Sequence, residues 1–575
     1  MNSFRQGCFY GQNEKRFFPL GTFGGYFSAS CIGEQVGTES QHGEDLLEFQ
    51  RMPRSVWKRY FSYLRSQGHT AMRLFPRGDS GGSAWEGLDI GGRVNQPLLD
   101  TIMSYIRLAG TYGIRTQLCL FTQPECSFYC QPMTRRYWGI RLYSDEQIAD
   151  APNFQRRFLE NPEDMASFSD YYLDADVRAC NRQFLEQLLP QLNDCPEIFA
   201  LELVNEYGWA SPHATPPNTF RWELTHRYFE WAKDMLSLIR QLSPDLPVCI
   251  SNPGVGILGH DNVQWGKELA PDFYSIHNYN DICGHLKGMD YAAISRMTLQ
   301  YTQLACPAMY GEWQALDSQR WGITSRQEQL LARDMVWLTL LSGAPGCIGW
   351  CGGTFGEFAK VQKVFQTLEG RDLTPENAPL QVGIGPELSW FSSLAQKGQA
   401  DCALPPSAWC PDRNATDGGH RFCVKMASTP YRQLMKLEQA SLWAGVNYGL
   451  TDQNPGEHAL SLFQAAEQIS FLPCSFLRPP QGYQMKVLRA KDQRTILVYL
   501  RNWESQPFFD QEGNEQFALR NQSPKPVTLS FSMEKPYRLR LWDLDTGLMQ
   551  EQDGIQQREL DLGVTSHDYL LTLTR

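Results

Sequence analysis

The chain has 575 residues, more than one hydrophobic core accommodates, so its length predicts two or three domains. Hydrophobic residues make up 42% and charged residues 20%, which predicts an ordinary globular protein. The formal net charge of -11 and the pI of about 5.5 argue against a nucleic-acid partner, and they leave no basic face for an anionic membrane.

Short apolar runs alternate with amphipathic stretches from residue 15 to about 370, which is the pattern of βα units around a parallel sheet. Eight such runs with helices between them predict a (β/α)8 barrel with enlarged loops. The runs are 21–27, 71–75, 115–121, 199–205, 248–252, 273–278, 308–312 and 346–350. The longest insertion, roughly 122–175, follows the third run and is expected on the face where the βα loops lie.

Helices are predicted between these runs wherever apolar residues recur at a spacing of three or four. A stripe over 56–64 is followed by Gly68, where the helix should stop, and Pro97 opens the next stripe, over 98–109. Further stripes span 177–189, 222–239 and 330–341.

The last hundred residues have a sequence pattern that differs from the rest of the chain. Short alternating or β-branched runs over 485–488, 495–500, 527–531, 537–542 and 569–573 are separated by Gly, Asp, Asn and Pro, which is typical of a β-sandwich. A helical stripe at 431–444 and an apolar run at 446–450 predict a smaller mixed α/β unit before it. The predicted domains are a catalytic barrel (1–384), a small mixed α/β subdomain (385–475) and a C-terminal β-sandwich (476–575).

Neither the N-terminal residues nor the cysteines suggest secretion. Residues 1–11 contain no apolar signal segment, so we expect a cytoplasmic protein. The sixteen cysteines lack a disulfide-framework spacing, and several lie in apolar runs, where reduced and buried thiols are expected. Cys126 and Cys130 are not followed by a second Cys/His pair, so we expect no metal site there.

Two of the predicted strands end in a glutamate. Asn205-Glu206 closes the fourth run, and Glu312 closes the seventh about a hundred residues later. Because the carboxyl ends of barrel strands meet on one face, we expect the two carboxyl groups to lie close together. Such a pair cleaves glycosidic bonds: one carboxyl protonates the leaving oxygen, and the other attacks the anomeric carbon or activates a water. Asn205 can donate a hydrogen bond to the sugar 2-hydroxyl.

On these residues the chain resembles glycoside hydrolase clan A and is most similar to family 5-like enzymes, over about residues 15–370. The resemblance implies a retaining mechanism with Glu206 as acid/base and Glu312 as nucleophile. It also implies that Arg73, at the end of the second run, and Tyr279, after the sixth, hydrogen-bond Glu312.

Four further positions carry the resemblance or extend it. His277 matches a histidine that flanks the site, and Trp350, at the end of the eighth run, matches a tryptophan beneath the sugar. Trp209 and Trp313 lie beside the two glutamates in sequence and are expected to shape substrate subsites. Gly311-Glu312-Trp313 and the long third loop differ from a typical endo-cellulase, so the resemblance does not settle the sugar.

The expected function is therefore retaining hydrolysis of a β-glycoside, exo-acting on short oligosaccharides or glycosides, with no cofactor and no metal. An endo-acting β-glycanase or a transglycosylase would use the same residues. A catalytically inactive sugar-binding protein would tolerate loss of either glutamate, and a metal-dependent barrel hydrolase would need a histidine cluster not visible among the ten His. The expected partner is a carbohydrate substrate, and assembly into a homo-oligomer stays open.

Overall fold

The computed structural model describes residues 3–11, 14–28, 46–74, 88–121, 127–129, 170–206, 225–252, 262–278, 290–313, 323–350, 356–383, 430–451, 459–472, 474–509 and 515–575. Among these residues, none of the helices combines the length and the apolar character that crossing a membrane would require.

A closed parallel barrel of eight strands is the centre of the structure, and its strands follow one another around the barrel in chain order. The strands are Leu20–Phe23, Ala71–Leu74, Arg115–Phe121, Ile198–Val204, Val248–Asn252, Phe273–Asn278, Ala308–Trp313 and Cys347–Gly349. All eight predicted runs contribute a barrel strand, so the predicted α/β barrel fold is confirmed.

The first predicted run differs most in extent from its barrel strand. The chain bends at Gly24 and Gly25, so the first barrel strand ends at Phe23. Residues Tyr26–Ser28 instead pair in antiparallel fashion with Leu46–Glu48, outside the barrel. Apolar character continues through the bend, which is why the sequence pattern did not separate the two strands.

Helices cover the barrel and the region that follows it. They are Arg54–Ser66, Gln96–Thr111, Asp170–Leu173, Ala175–Leu192, Thr225–Leu242, Asn262–Leu269, Tyr291–Thr302, Ser325–Leu340, Glu357–Gln366, Pro430–Ala444 and Leu462–Ile469, with a short 3-10 turn at Phe49–Arg51. The five helices predicted between barrel strands are confirmed.

Side chains at the helix starts satisfy backbone N–H groups that have no partner within the helix. The Asn95 side chain accepts a hydrogen bond from the Leu98 N–H, and the Thr324 and Gln327 side chains form a reciprocal capping box. Gly68 follows the first barrel helix with φ +87°, a conformation that glycine adopts without strain. The helix boundaries are therefore set locally, and among these residues Gly68 was predicted from the sequence as the end of its helix.

A small antiparallel sheet at the N-terminus closes the end of the barrel opposite the two glutamates. Its strands are Ser3–Arg5, Cys8–Tyr10 and Arg16–Phe17. The ring of Phe9 packs edge-on against Phe199 and Phe273, with ring centroids 5.1 Å apart in both pairs. Both partners lie at the start of barrel strands, so the sheet buries the apolar floor of the barrel. No pattern in the sequence predicted this sheet.

The barrel interior changes from apolar to polar along its axis. One buried cluster at the closed end contains Ala71, Ala200, Cys249, Phe273 and Met309. Two residues further along the first four of these strands, the buried side chains are Arg73, Glu202, Ser251 and Ser275. Successive inward positions on a strand are two residues apart, so the polar side chains form the layer directly above the apolar one.

The C-terminal region is rich in β-strands, as predicted. Its antiparallel sheet has six strands, and a separate two-stranded ribbon pairs Glu504–Phe509 with Glu515–Asn521. The sheet strands are Leu477–Arg478, Tyr483–Arg489, Thr495–Asn502, Lys525–Asp543, Met549–Thr565 and Tyr569–Thr574. The runs predicted at 527–531 and 537–542 are two parts of Lys525–Asp543, whose register shifts between Ser532 and Tyr537.

Before this sheet, Leu380–Gly383 and Tyr448–Thr451 pair in parallel, next to the helix Pro430–Ala444. The predicted helix at 431–444 and the strand after it are confirmed. The domain boundaries at 384 and 475 stay predictions.

Buried ion pairs attach the C-terminal sheet to the barrel helix Ser325–Leu340. Arg333 of that helix donates to Asp568 of the sheet region at 2.9 Å, and Arg520 donates to Asp568 at 2.7 Å and to Asp334 of the helix at 2.9 Å. Burial raises the pKa of Asp568, but the Arg520 and Arg333 charges outweigh it and hold that pKa well below its usual range. Each of the four side chains therefore has a charged partner on the other side of the contact.

Asp89, in the loop after the second barrel strand, makes the stability of the protein depend on pH. It accepts hydrogen bonds from the Gly92 N–H at 2.7 Å, the Tyr129 hydroxyl and the Asn181 amide. Burial raises the pKa of Asp89 to about 7 despite these donors. The unfolded chain loses this proton near pH 4, so raising the pH from about 4 to about 7 favours unfolding.

We therefore expect the unfolding free energy of the protein to fall over this window by about 1–3 kcal/mol more than that of Asp89→Asn. Urea unfolding of both proteins at several pH values between 4 and 8 measures the difference. Identical pH dependence in the two proteins would contradict the prediction.

Candidate active site

Glu206 and Glu312 face each other at the carboxyl ends of the fourth and seventh barrel strands. Three atoms lie within 4.8 Å of one another: one carboxylate oxygen from each glutamate and one imidazole nitrogen of His277. The Glu312 side chain is 4% exposed and that of Glu206 is 13% exposed. The structure thus brings together the two residues on which the functional prediction depends, in unequal surroundings.

The backbone at Glu206 explains how two consecutive residues both reach the site. The fourth strand ends at Val204, and Glu206 has φ +53°, a left-handed conformation that non-glycine residues rarely adopt. Such a residue costs on the order of 1–3 kcal/mol and is often found at functional sites. The Ser251 hydroxyl, 3.0 Å away, accepts a hydrogen bond from the Glu206 N–H and holds this turn.

Arg73 is the cation of the site and is fully buried. Its Nη1 lies 2.5 Å from Oε1 of Glu312, and its Nη2 donates to Oδ1 of Asn205 at 2.7 Å. A guanidinium in this contact stabilises the carboxylate anion of Glu312. The structure therefore places Arg73 against Glu312, as expected, whereas the predicted contact of Asn205 with the sugar stays a prediction.

Glu202 is a site residue that the sequence analysis missed. It lies four residues before Glu206 and is fully buried. Arg73 donates to both of its carboxylate oxygens at 2.6 Å, and Gln117 donates to it at 2.8 Å. A signal was present in the sequence, because a glutamate inside the apolar run 199–204 must find a buried positive partner.

His277 lies between the two glutamates. Its Nδ1 is 3.1 Å from Oε1 of Glu206 and 3.4 Å from Oε1 of Glu312. Burial lowers the pKa of His277 to about 4, although the Glu312 charge acts in the opposite direction. The imidazole is therefore neutral at pH 7 and carries a single N–H.

A β-bulge between the sixth and seventh strands sets His277 against Glu312. Ile276 pairs with Tyr310 and His277 pairs with Glu312, so Gly311 is the extra residue. A Cβ atom on Gly311 would stand 1.8 Å from Oγ of Ser275 and 3.4 Å from Nε2 of His277. The bulge therefore requires glycine at this position.

We expect Gly311→Ala to lower the unfolding free energy by about 1–3 kcal/mol and to reduce activity, because the added methyl displaces the Ser275 side chain. Gly349→Ala in the eighth strand is the matched control, since its nearest neighbour, the Trp313 carbonyl oxygen, would be 3.4 Å away. Thermal unfolding and initial rates of the two variants test this. Equal effects in both would show that the bulge tolerates a side chain.

Two of the predicted tryptophans have defined positions. The ring of Trp350 stacks on Phe23 at the mouth of the barrel, with centroids 4.4 Å apart and planes 17° apart, and it is partly exposed. Trp313 is 3% exposed, and its indole N–H donates to the Cys347 thiol at 3.1 Å. Trp350 is thus available to a ligand, whereas the contact of Trp313 is with the barrel core. Substrate contact by either residue stays a prediction.

Tyr279 and Trp209, also predicted as site residues, lie outside the residues that the structure describes. Their predicted roles stay untested.

Glu206, His277 and Glu312 also have the ligand types of a divalent-cation site. However, Arg73 and His277 both approach the same oxygen, Oε1 of Glu312. A metal ion at this oxygen would lie next to the guanidinium charge and be repelled by it. The three residues therefore fit a metal poorly and suit acid–base chemistry better.

Comparison with known proteins gives matches to solved structures alone. No family model and no curated protein match the chain. A family 5 glycoside hydrolase (subfamily 18) from Streptomyces cattleya, solved with GlcNAc, is 12% identical with a TM-score of 0.49, covering 78% of this chain and 100% of that chain.

Two further enzymes also match. An exo-β-1,4-mannosidase from Opitutaceae bacterium strain TAV5 is 13% identical with a TM-score of 0.45, covering 90% of this chain and 91% of that chain. An endo-1,4-β-mannanase from Rhizomucor miehei is 14% identical with a TM-score of 0.41, covering 61% and 90%. At such identities the likeness concerns the fold, and the function is inferred from the site itself. The closed barrel and its two facing glutamates have the architecture that the resemblance to glycoside hydrolase clan A implies.

Proposed function

We propose that the protein is a retaining β-glycoside hydrolase. The observation that supports this most directly is the approach of the Glu206 and Glu312 carboxylates, whose nearest oxygens lie within 4.8 Å. Retaining glycosidases hold their two carboxyl groups about 5–5.5 Å apart, whereas inverting enzymes need about 6.5–9.5 Å to admit a water between them. A separation of this size favours the retaining mechanism over the inverting one.

The surroundings of the two glutamates support the division of roles. Glu312 is buried and paired with Arg73, as suits an ionised nucleophile that attacks the anomeric carbon. Glu206 is more exposed and contacts the neutral His277, as suits a carboxyl that exchanges protons with the leaving group and with water. His277 can donate its one N–H to Glu206 and so orient it.

The reaction then follows two displacements. The Glu312 carboxylate forms a bond to the anomeric carbon while the Glu206 carboxyl gives its proton to the leaving oxygen. The resulting Glu206 carboxylate takes a proton from a water molecule, which attacks the same carbon and releases Glu312. Both glutamates return to their starting protonation states, and the anomeric configuration is retained.

We further propose exo-action on short oligosaccharides or glycosides. The longest insertion that the sequence predicts among the βα loops, roughly 122–175, follows the third barrel strand. Long loops on this face favour an enclosed pocket over an open cleft. The same two carboxylates would equally serve an endo-acting glycanase or a transglycosylase.

Initial rates on aryl β-mannoside, glucoside, galactoside, xyloside and fucoside test the proposal, with the first-formed anomer followed by proton NMR. We expect turnover of one or a few of these sugars, release of the β-anomer first, and no effect of a chelator. Early release of the α-anomer would contradict the retaining mechanism. Loss of activity with chelator would favour the metal alternative, and binding without turnover of any glycoside would favour a sugar-binding protein.

A further inference from the structure

A third carboxylate lies beneath the two that carry the proposed reaction. Glu202 is fully buried in the polar layer of the barrel, on the same strand as the acid/base residue. Among the described residues, no hydrogen bond or ion pair joins Glu202 to Glu206 or to Glu312. Glu202 takes no part in either displacement of the proposed reaction.

Glu202 is held by donors on three other strands of the barrel. Arg73 reaches it from the second strand through Nε and Nη2, both at 2.6 Å, and Gln117 reaches it from the third at 2.8 Å. Ser251 donates to it from the fifth strand. Burial raises the pKa of Glu202, but the Arg73 charge and these hydrogen bonds outweigh it, and the net pKa lies below its usual value. Glu202 is therefore an anion when the protein is folded.

This contact fixes the direction of the Arg73 guanidinium. A guanidinium has five N–H donors in one rigid plane. When Nε and Nη2 form the two-pronged contact with Glu202, Nη1 is turned toward Glu312 at 2.5 Å, and the other N–H of Nη2 toward Asn205 at 2.7 Å. Glu202 therefore fixes the position of the Arg73 guanidinium relative to the proposed nucleophile, Glu312.

Glu202 also divides the positive charge of Arg73 between two carboxylates. With Arg73, Glu202 and Glu312 ionised, the group of three has a net charge of -1 rather than zero. A carboxylate that is stabilised too strongly as an anion becomes a weaker nucleophile, because its affinity for an electrophile falls together with its basicity. Sharing the guanidinium limits this loss.

We propose that Glu202 is a positioning residue that acts through Arg73, directing the guanidinium at Glu312 and limiting how strongly it stabilises the Glu312 anion. This inference rests on the proposed role of Glu312 as nucleophile. The competing explanation is that Glu202 and Arg73 form an ion pair that holds the barrel strands together and nothing more.

The pH dependence of kcat/KM for an aryl glycoside distinguishes the two, because its acidic limb reports the ionisation of the nucleophile in the free enzyme. Glu202→Gln keeps the shape of the side chain and removes its charge. We expect the acidic limb to move to lower pH by about one unit, and the plateau to fall about 10- to 100-fold. A strand-holding role would lower the plateau without moving the limb.

Gln117→Leu is the matched control. It removes a neutral donor from the same carboxylate and leaves the charges of Glu202, Arg73 and Glu312 in place. We expect its acidic limb to stay where it is in the wild type. A limb that moves equally in both variants, or in neither, would overturn the proposal.

A second readout does not depend on catalysis. Titration of protein labelled with ¹³C at the glutamate carboxyl carbons, with the Glu312 signal assigned from its absence in Glu312→Gln, gives the pKa of Glu312 directly. We expect this pKa to be lower in Glu202→Gln than in the wild type, even if the protein hydrolyses no glycoside. An unchanged pKa would overturn the inference, and absence of hydrolysis would count against the proposed function alone.

If Glu202→Gln does not fold, Glu202→Asp keeps the charge but withdraws it from Arg73 by one methylene. The proposal then predicts a smaller shift of the Glu312 pKa in the same direction. No shift would contradict it.

Discussion

Replacing Glu312 by Gln is expected to lower kcat by more than about 10⁴-fold on every glycoside, more than a positioned general acid contributes. An amide cannot form the covalent bond to the anomeric carbon that the double displacement requires. Glu202 cannot take over this step, because it is buried against Arg73 and Gln117. The loss should not depend on the leaving group, since the nucleophile is needed before any leaving group departs.

Glu206→Gln is the matched comparison and is expected to behave differently. It keeps the nucleophile and removes the proton donor, so natural glycosides should lose about 10²- to 10⁴-fold. Dinitrophenyl glycosides, whose leaving group needs no proton, should still form the covalent intermediate quickly. Hydrolysis of that intermediate needs a base and should be slow, which gives a burst of dinitrophenol followed by slow turnover.

Stopped-flow and steady-state rates on dinitrophenyl and alkyl glycosides, with circular dichroism to confirm folding, measure both variants. Glu312→Gln should fold, because Arg73 keeps Glu202 and Asn205 as partners. Equal losses in the two variants on all leaving groups would contradict the assigned roles. Full activity of Glu312→Gln would show that Glu312 is not the nucleophile.

Replacing Arg73 by Met is expected to lower the unfolding free energy by about 3–5 kcal/mol and to abolish activity. Arg73 is fully buried and is the cation that pairs with both Glu202 and Glu312. Removing one partner of a buried ion pair leaves an uncompensated buried charge, and this costs about that much. The remaining donors to Glu202, Gln117 and Ser251, are neutral and cannot replace the charge.

The double variant Arg73→Met with Glu202→Gln tests this explanation, because it removes both charges of the lower pair. We expect it to be more stable than Arg73→Met alone and equally inactive, since Glu312 still lacks its cation. Urea unfolding of the wild type, the two single variants and the double variant gives the coupling energy. If the double variant loses as much unfolding free energy as the two single variants together, the Arg73–Glu202 pair does not explain why Arg73 stabilises the protein.

Much of the fold follows from local patterns. A strand buried on both faces is an apolar run, and a covering helix is an apolar stripe, so the alternation of the two predicts eight βα units in order. Gly68, Asn95 and Thr324 set helix ends through contacts within a few residues. The same local signal places Glu206 and Glu312 at strand ends, and barrel topology then brings them to one face.

Other features depend on partners far apart in the chain, which local patterns do not specify. Arg73 and Glu202 are 129 residues apart, and they meet because their inward positions reach the same height in a closed barrel. Arg333, Arg501 and Arg520 are charges of a kind usually found at the surface, yet all three are buried where the C-terminal sheet meets the barrel. The N-terminal sheet also depends on distant partners, because the Phe9 ring on one of its short strands packs against Phe199 and Phe273 at the closed end of the barrel.

Sequence patterns alone predict the barrel, the order of its strands and the two glutamates at its strand ends, because burial and helix capping leave periodic and short-range marks in the chain. The tertiary structure decided the left-handed turn at Glu206, the bulge at Gly311 and the sharing of Arg73 between two carboxylates. These depend on strand register and on the distances between side chains from different strands, which are fixed only when the barrel closes.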